Sequence, residues 1–101
     1  MPYSLILIEQ AHEEYIEAYE WYEIKQKGLG ERFMKCVEER IFQIKEHPEY
    51  FGKRHSIYRE VKVKDFPYMI VYEVHKRKNL ILVNSIYHSK RNTLKKYRKT
   101  R

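Results

Sequence analysis

Three residues, Gly28-Leu29-Gly30, join two stretches whose apolar residues recur at helical spacing, and this junction limits the fold more than any other feature of the chain. Before it, Ala11, Tyr15, Ala18 and Tyr22 follow at intervals of 4, 3 and 4, which places them on one face of a helix from about Glu9 to Gln26. Glu13, Glu14, Glu17, Glu20 and Glu23 take up much of the remaining surface. After the junction, Leu29, Phe33, Val37, Ile41 and Ile44 form a second stripe that runs to about Glu46. Pro48 disfavours helical geometry at His47, so the second helix stops there. Glycine readily adopts the backbone angles that end a helix and turn the chain. Two helices joined by so short a break pack as an antiparallel hairpin.

The stretches on either side of this helical pair read as strands. Residues 2–8 are short and mostly apolar. Residues 57–64, IYREVKVK, alternate, with Val61 and Val63 set against Glu60, Lys62 and Lys64. FPYMIVYEV, residues 66–74, is apolar on both faces, as a central strand is. Asp65 is a good turn former, and Pro67 is tolerable only near the strand's start, where its missing N–H costs little. Lys76 to Asn79 makes the next turn, residues 80–87 the last strand, and the tail from about Ser89 to Tyr97 reads as a short basic helix. The predicted order is β-α-α-β-β-β, an α+β domain with a mainly antiparallel sheet and the helical hairpin on one face. The other face is left to solvent or to a partner.

At 101 residues, 43% of them hydrophobic, the chain fits one domain, residues 1–101, with one modest core. Three Gly and three Pro without a Ser- or Gly-rich run leave no linker. The single Cys36 makes no intrachain disulfide and suits a reducing cytoplasm as a small helix core residue. MPYSLILIEQ, with four apolar residues and no basic residue before them, reads as neither a signal peptide nor a membrane span. Charge is divided unevenly. Residues 1–52 hold 6 Lys/Arg and 11 Asp/Glu, a balance of −5; residues 53–101 hold 15 and 3, a balance of +12. Such a basic half points to an anionic partner, nucleic acid or an acidic protein segment; the plainer reading is a solvated surface.

No strand-to-helix glycine loop is present to cradle phosphate, and no closely spaced Cys or His pair to bind zinc, so neither cofactor nor metal is expected. What remains is a basic, aromatic, histidine-bearing sheet end: Lys53, Arg54 and His55 before the second strand, Arg59, Lys62 and Lys64 on it, and Tyr87, His88 and Arg91 closing the last. Metal-free RNA cleavage needs a base for the 2′-OH proton, an acid for the leaving oxygen and cations around the phosphorane, and these residue types fill those roles. Each also has a structural reading. A histidine at a strand end is commonly a surface or capping residue. Arg59 shares strand parity with Ile57 and Val61, which fits a partly buried side chain bonded to carbonyls. Lys62 and Lys64 fit solvated edge charges, and Tyr68 and Tyr72 fit the core.

In their order and spacing over nearly all 101 residues, "AHEEYIEAYEWYE", "KGLGERF", "HPEYF", the Arg59-bearing strand leading into "FPYMIVYEV", and the ending "IYHSKRN" resemble the RelE/ParE superfamily of bacterial toxins. The resemblance implies the toxin of a type II toxin–antitoxin (plasmid stabilisation) system, neutralised by a cognate antitoxin that folds over its surface. RelE-like members cut mRNA within the ribosome; ParE-like members act on DNA gyrase. In the RelE-like nucleases the strand equivalent to 67–75 carries Arg directly after its first Tyr, where this chain has Met69, an apolar side chain that cannot stabilise phosphorane charge. Lys62 matches a family lysine, but the position two before it is Glu60, which repels phosphate unless it serves as a base, as Glu does in some members. His88 lies where several nuclease members place a catalytic His beside an aromatic such as Tyr87, while His88-Xaa-Xaa-Arg91 and the "FPY" start also look ParE-like. The resemblance therefore implies a gyrase inhibitor first. The alternative is a ribosome-dependent, metal-independent mRNA endoribonuclease with His88 as acid or base, Tyr87 or Glu60 as counterpart, and Arg59, Lys62 and Arg91 around the phosphate.

Overall fold

A computed structural model describes residues 2–90. Strand β1 (Ser4–Leu7) leads into helices α1 (Glu9–Lys25) and α2 (Leu29–Glu46), followed by β2 (Lys53–His55), β3 (Tyr58–Lys62), β4 (Tyr68–His75), a single 3₁₀ turn at Lys76–Lys78, and β5 (Leu80–His88). The five strands form one sheet in the order β1-β5-β4-β3-β2. β1 runs parallel to β5, and every other pairing is antiparallel. The α+β architecture expected from the sequence is what the chain adopts. The structure adds β2, and β3 is shorter than the 57–64 run. The basic helix expected at residues 89–97 lies largely outside the described residues.

Glycine explains the tight αα connection at two positions. Gly28 has φ +89°, a left-handed conformation that other L-residues adopt only with strain. Gly30 sits where α2 first crosses α1; a Cβ there would lie 2.6 Å from the Tyr19 carbonyl oxygen. The Glu23 carboxylate accepts the backbone N–H groups of Gly28 and Gly30, both at 2.9 Å. It thereby satisfies donors that the start of α2 leaves without helical partners.

The hairpin and one sheet face enclose the main core. Ala11, Ala18 and Tyr22 of α1 and Phe33, Val37 and Ile44 of α2 pack on Val61, Tyr68, Ile70, Tyr72, Ile81, Val83 and Ile86. Burying each of the larger side chains contributes about 1.5–3 kcal/mol. Phe33 packs edge-on to Phe66 and Tyr68 at centroid distances of 5.2 and 5.1 Å. Cys36 is buried among them, as a small core residue. On the opposite face Tyr58, Val71 and Tyr87 form a second cluster with Met69, and neither helix contributes to it.

Candidate functional site

The residues expected to act together divide between the two faces of the sheet. Side chains alternate along a strand, so Tyr87 and its neighbour His88 point in opposite directions. Tyr87 lies in the second cluster, paired in register with Met69, and its hydroxyl donates to Glu60 Oε1 at 3.2 Å. Glu60 and Tyr87 are both buried there, at 8% and 5% exposure.

His88 faces α1. Its ring stands edge-on to Tyr68 at 5.3 Å and lines a cleft of about 150 Å³ together with Glu14, Glu17, Ala18, Trp21 and Ile86. Its Nδ1 accepts the Lys90 backbone N–H at 3.1 Å, so the neutral imidazole carries its proton on Nε2. The carboxylates that share His88's cleft are therefore Glu14 and Glu17, not Glu60. Glu14 has a definite structural task. β1 pairs only with Leu80–Val83, and β5 continues beyond it to His88. In place of a neighbouring strand, Glu14 Oε1 accepts the Ile86 N–H at 2.9 Å and the Ser85 hydroxyl at 2.8 Å. Burial pushes its carboxyl above the usual carboxylate range, against the lowering effect of those hydrogen bonds.

The expected phosphate-binding cations are likewise dispersed. Arg59 donates through Nη1 to the carbonyls of Glu49 (3.2 Å) and Phe51 (2.7 Å), with a side chain only 13% exposed. Beside it the Tyr72 hydroxyl donates to the Pro48 carbonyl at 3.0 Å, and burial pushes that phenol up to about 12. Together they fasten the loop between α2 and β2. Lys62 Nζ donates to the carbonyls of Val63 and Phe66, both at 3.1 Å, bracing the β3–β4 turn around Asp65, whose φ is +68°. Lys64 is exposed on that turn, beside a crevice with Cys36, Glu39 and Arg40.

Lys53 and Arg54 lie at the other end of the sheet. Lys53 pairs with Arg59 and Arg59 with Tyr72, whereas His88 is level with Tyr68. From Tyr68 to His75 the sheet extends about 23 Å at roughly 3.3 Å per residue. Arg91 lies outside the described residues.

Two groups escaped the sequence reading. One is Glu14, whose contact depends on β5 outrunning β1. The other is a buried polar cluster on the face without helices. There Glu73 Oε1 meets His75 Nε2 at 2.8 Å and Glu73 Oε2 accepts the Asn84 amide at 3.0 Å. The i, i+2 spacing of Glu73 and His75 on a strand is its only signal in the sequence. Among the described residues no group of three potential ligands is arranged to hold a metal, and no helix is long and apolar enough to cross a membrane.

Comparison with known proteins bears on this geometry. Similar solved structures include a chain of the chromosomal ParDE toxin–antitoxin system of P. aeruginosa, with TM-score 0.72 and 14% identity over 85% of this chain and 95% of that one. A mutant of the E. coli toxin RelE in the free state matches with TM-score 0.69 and 20% identity, over 91% of this chain and 88% of that one. The isolated E. coli RelE toxin matches with TM-score 0.65 and 19% identity, over 91% of this chain and 89% of that one. At these identities the likeness establishes the shared fold. No curated protein sequence matches. The family model described as "ParE toxin of type II toxin-antitoxin system, parDE" matches residues 5–93, from β1 through the end of β5 and beyond. The helical hairpin, the five-stranded sheet and this match over most of the chain lead to one conclusion: the protein belongs to the ParE toxin family of type II toxin–antitoxin systems.

Proposed function

We propose that this toxin acts by binding a protein target, DNA gyrase, and that it does not cut messenger RNA. The observation that carries this reading is the engagement of Arg59 and Lys62 with the chain's own backbone carbonyls. A phosphorane needs positive charge that is free to meet it. Around His88 the described surroundings instead include Glu14, Glu17 and Trp21, and carboxylates repel a polyanion. Met69, opposite Tyr87, adds an apolar side chain where a nuclease of this superfamily has a cation. The cognate antitoxin that family membership implies neutralises the toxin by covering its surface. The test is supercoiling of relaxed plasmid by purified gyrase with increasing toxin. Inhibition that added antitoxin reverses is expected; supercoiling unaffected by excess toxin overturns the reading.

One observation favours the alternative. The Tyr87–Glu60 hydrogen bond brings a phenol and a carboxylate together on one face, a pairing that suits proton transfer in an endoribonuclease. That reading requires Glu60→Gln and His88→Ala each to abolish cleavage of translated messages while the variants stay folded.

A further inference from the structure

The end of the sheet remote from His88 carries positive charge that the described residues leave unpaired. The two-residue turn joining β2 to β3 has Ser56 at φ +54°, and Lys53 and Arg54 precede it on the exposed edge strand. The 3₁₀ turn Lys76–Lys78 closes the β4–β5 hairpin at the same end, because β4 runs only three residues past Tyr72, which is level with Lys53 through Arg59. Two strand spacings of about 4.8 Å and three residues of about 3.3 Å separate the two turns, so both fall within one face of a nucleic-acid groove or strand. Of the five Lys and Arg side chains at these turns, Lys76 is paired, with Glu49 Oε2 at 3.2 Å. Lys53, Arg54, Arg77 and Lys78 are exposed, and none makes an ion pair or side-chain hydrogen bond among the described residues. The base of the second turn is pinned by the contact of His75 with buried Glu73. The cations are thus presented on a braced strand end.

From this arrangement we propose that the hairpin end is a docking site for the sugar–phosphate backbone of a nucleic acid, separate from the surroundings of His88. The inference does not rest on the gyrase reading. Four unpaired like charges repel one another and return nothing to the fold, so a ligand anion is what makes their grouping favourable. A polymer with charge at every repeat meets cations on two turns at once and releases counterions as it does so. An acidic peptide would need carboxylates at two matching places. Tyr50, 79% exposed and next to Glu49, presents an aromatic face beside them.

The test is fluorescence anisotropy with the full chain, a labelled duplex DNA and a labelled single-stranded RNA of about 20 nucleotides each, over a range of salt concentrations. The triple variant Arg54→Gln/Arg77→Gln/Lys78→Gln is compared with wild type and with Lys95→Gln/Lys96→Gln/Arg98→Gln. Circular dichroism checks that each remains folded. The hairpin variant is expected to weaken binding at least tenfold and to flatten the plot of log K against log salt by about 2, near one unit for each phosphate no longer neutralised. Whichever polymer retains the steeper slope identifies the source of the phosphates. A wild-type slope in the hairpin variant, absence of binding to both polymers at low salt, or equal competition by polyglutamate would each overturn the proposal.

Discussion

Arg59 and Arg77 are the same residue type on adjoining strands or their turns, yet the fold uses them oppositely. Arg59 is nearly enclosed and holds the carbonyls of Glu49 and Phe51; Arg77 stands in solvent, unpaired among the described residues. Lys62 resembles Arg59 in this respect, and Lys53, Arg54 and Lys78 resemble Arg77. The difference teaches that a net charge read from sequence overstates the charge available to a ligand. A cation that caps backbone carbonyls stabilises the fold and is withdrawn from a partner, because releasing it would leave those acceptors unsatisfied.

The comparison breaks most readily at Arg59. Arg59→Ala leaves two loop carbonyls without their donor and is expected to cost about 3 kcal/mol, the range for a buried hydrogen bond to a charged group plus lost packing. In urea melts this shows as a large fall in the midpoint, with the loop between α2 and β2 losing hydrogen-exchange protection first. An Arg59→Ala protein of wild-type stability would mean that the guanidinium is held for a ligand after all.

Glu14 sharpens the same point with an anion. Glu14→Ala strands the Ile86 N–H and is expected to cost about 1–3 kcal/mol. Glu14→Gln keeps an acceptor there and removes the charge. Because burial raises the folded-state pKa of Glu14, its contribution to stability is fully present below the unfolded value and is lost as pH rises through the folded one. Glu14→Gln is therefore expected to match wild type near pH 3 and to melt a few degrees higher near pH 7, measured by thermal denaturation. A variant less stable at neutral pH would show that the ionised form is favoured by a neighbouring cation.

Smaller effects follow. Lys62→Met removes two hydrogen bonds from the β3–β4 turn and is expected to cost about 1 kcal/mol. Arg77→Gln, at the far end, is expected to leave stability unchanged within about 0.5 kcal/mol. If Lys62→Met proved as harmless as Arg77→Gln, the distinction between engaged and available cations would fail at the edge of the sheet.

The helical hairpin is legible in the chain because Gly28, Gly30 and the apolar stripes are local signals. The central strand at residues 68–75 is legible from its apolar character. β2 is not: Lys53, Arg54 and His55 carry no strand pattern, and only pairing with Tyr58 and Arg59 makes them one. For Arg59 the sequence leaves two readings open, and parity with Val61 favours the carbonyl-bonded one. Alternation along β5 also separates Tyr87 from His88 in principle, since neighbours on a strand face opposite ways. The resemblance to toxins with a site at this end groups them instead. Glu14 has no local signal, because its partners lie 71 and 72 residues away.

If Arg59 and Lys62 serve the fold and the toxin works without cutting RNA, its effect on living cells should leave messages intact. Mapping transcript ends minutes after induction of the toxin in bacteria without antitoxin tests this most directly. Growth arrest with no new ends inside translated messages is the expected result. New ends that appear with the wild-type toxin and vanish with His88→Ala would contradict it.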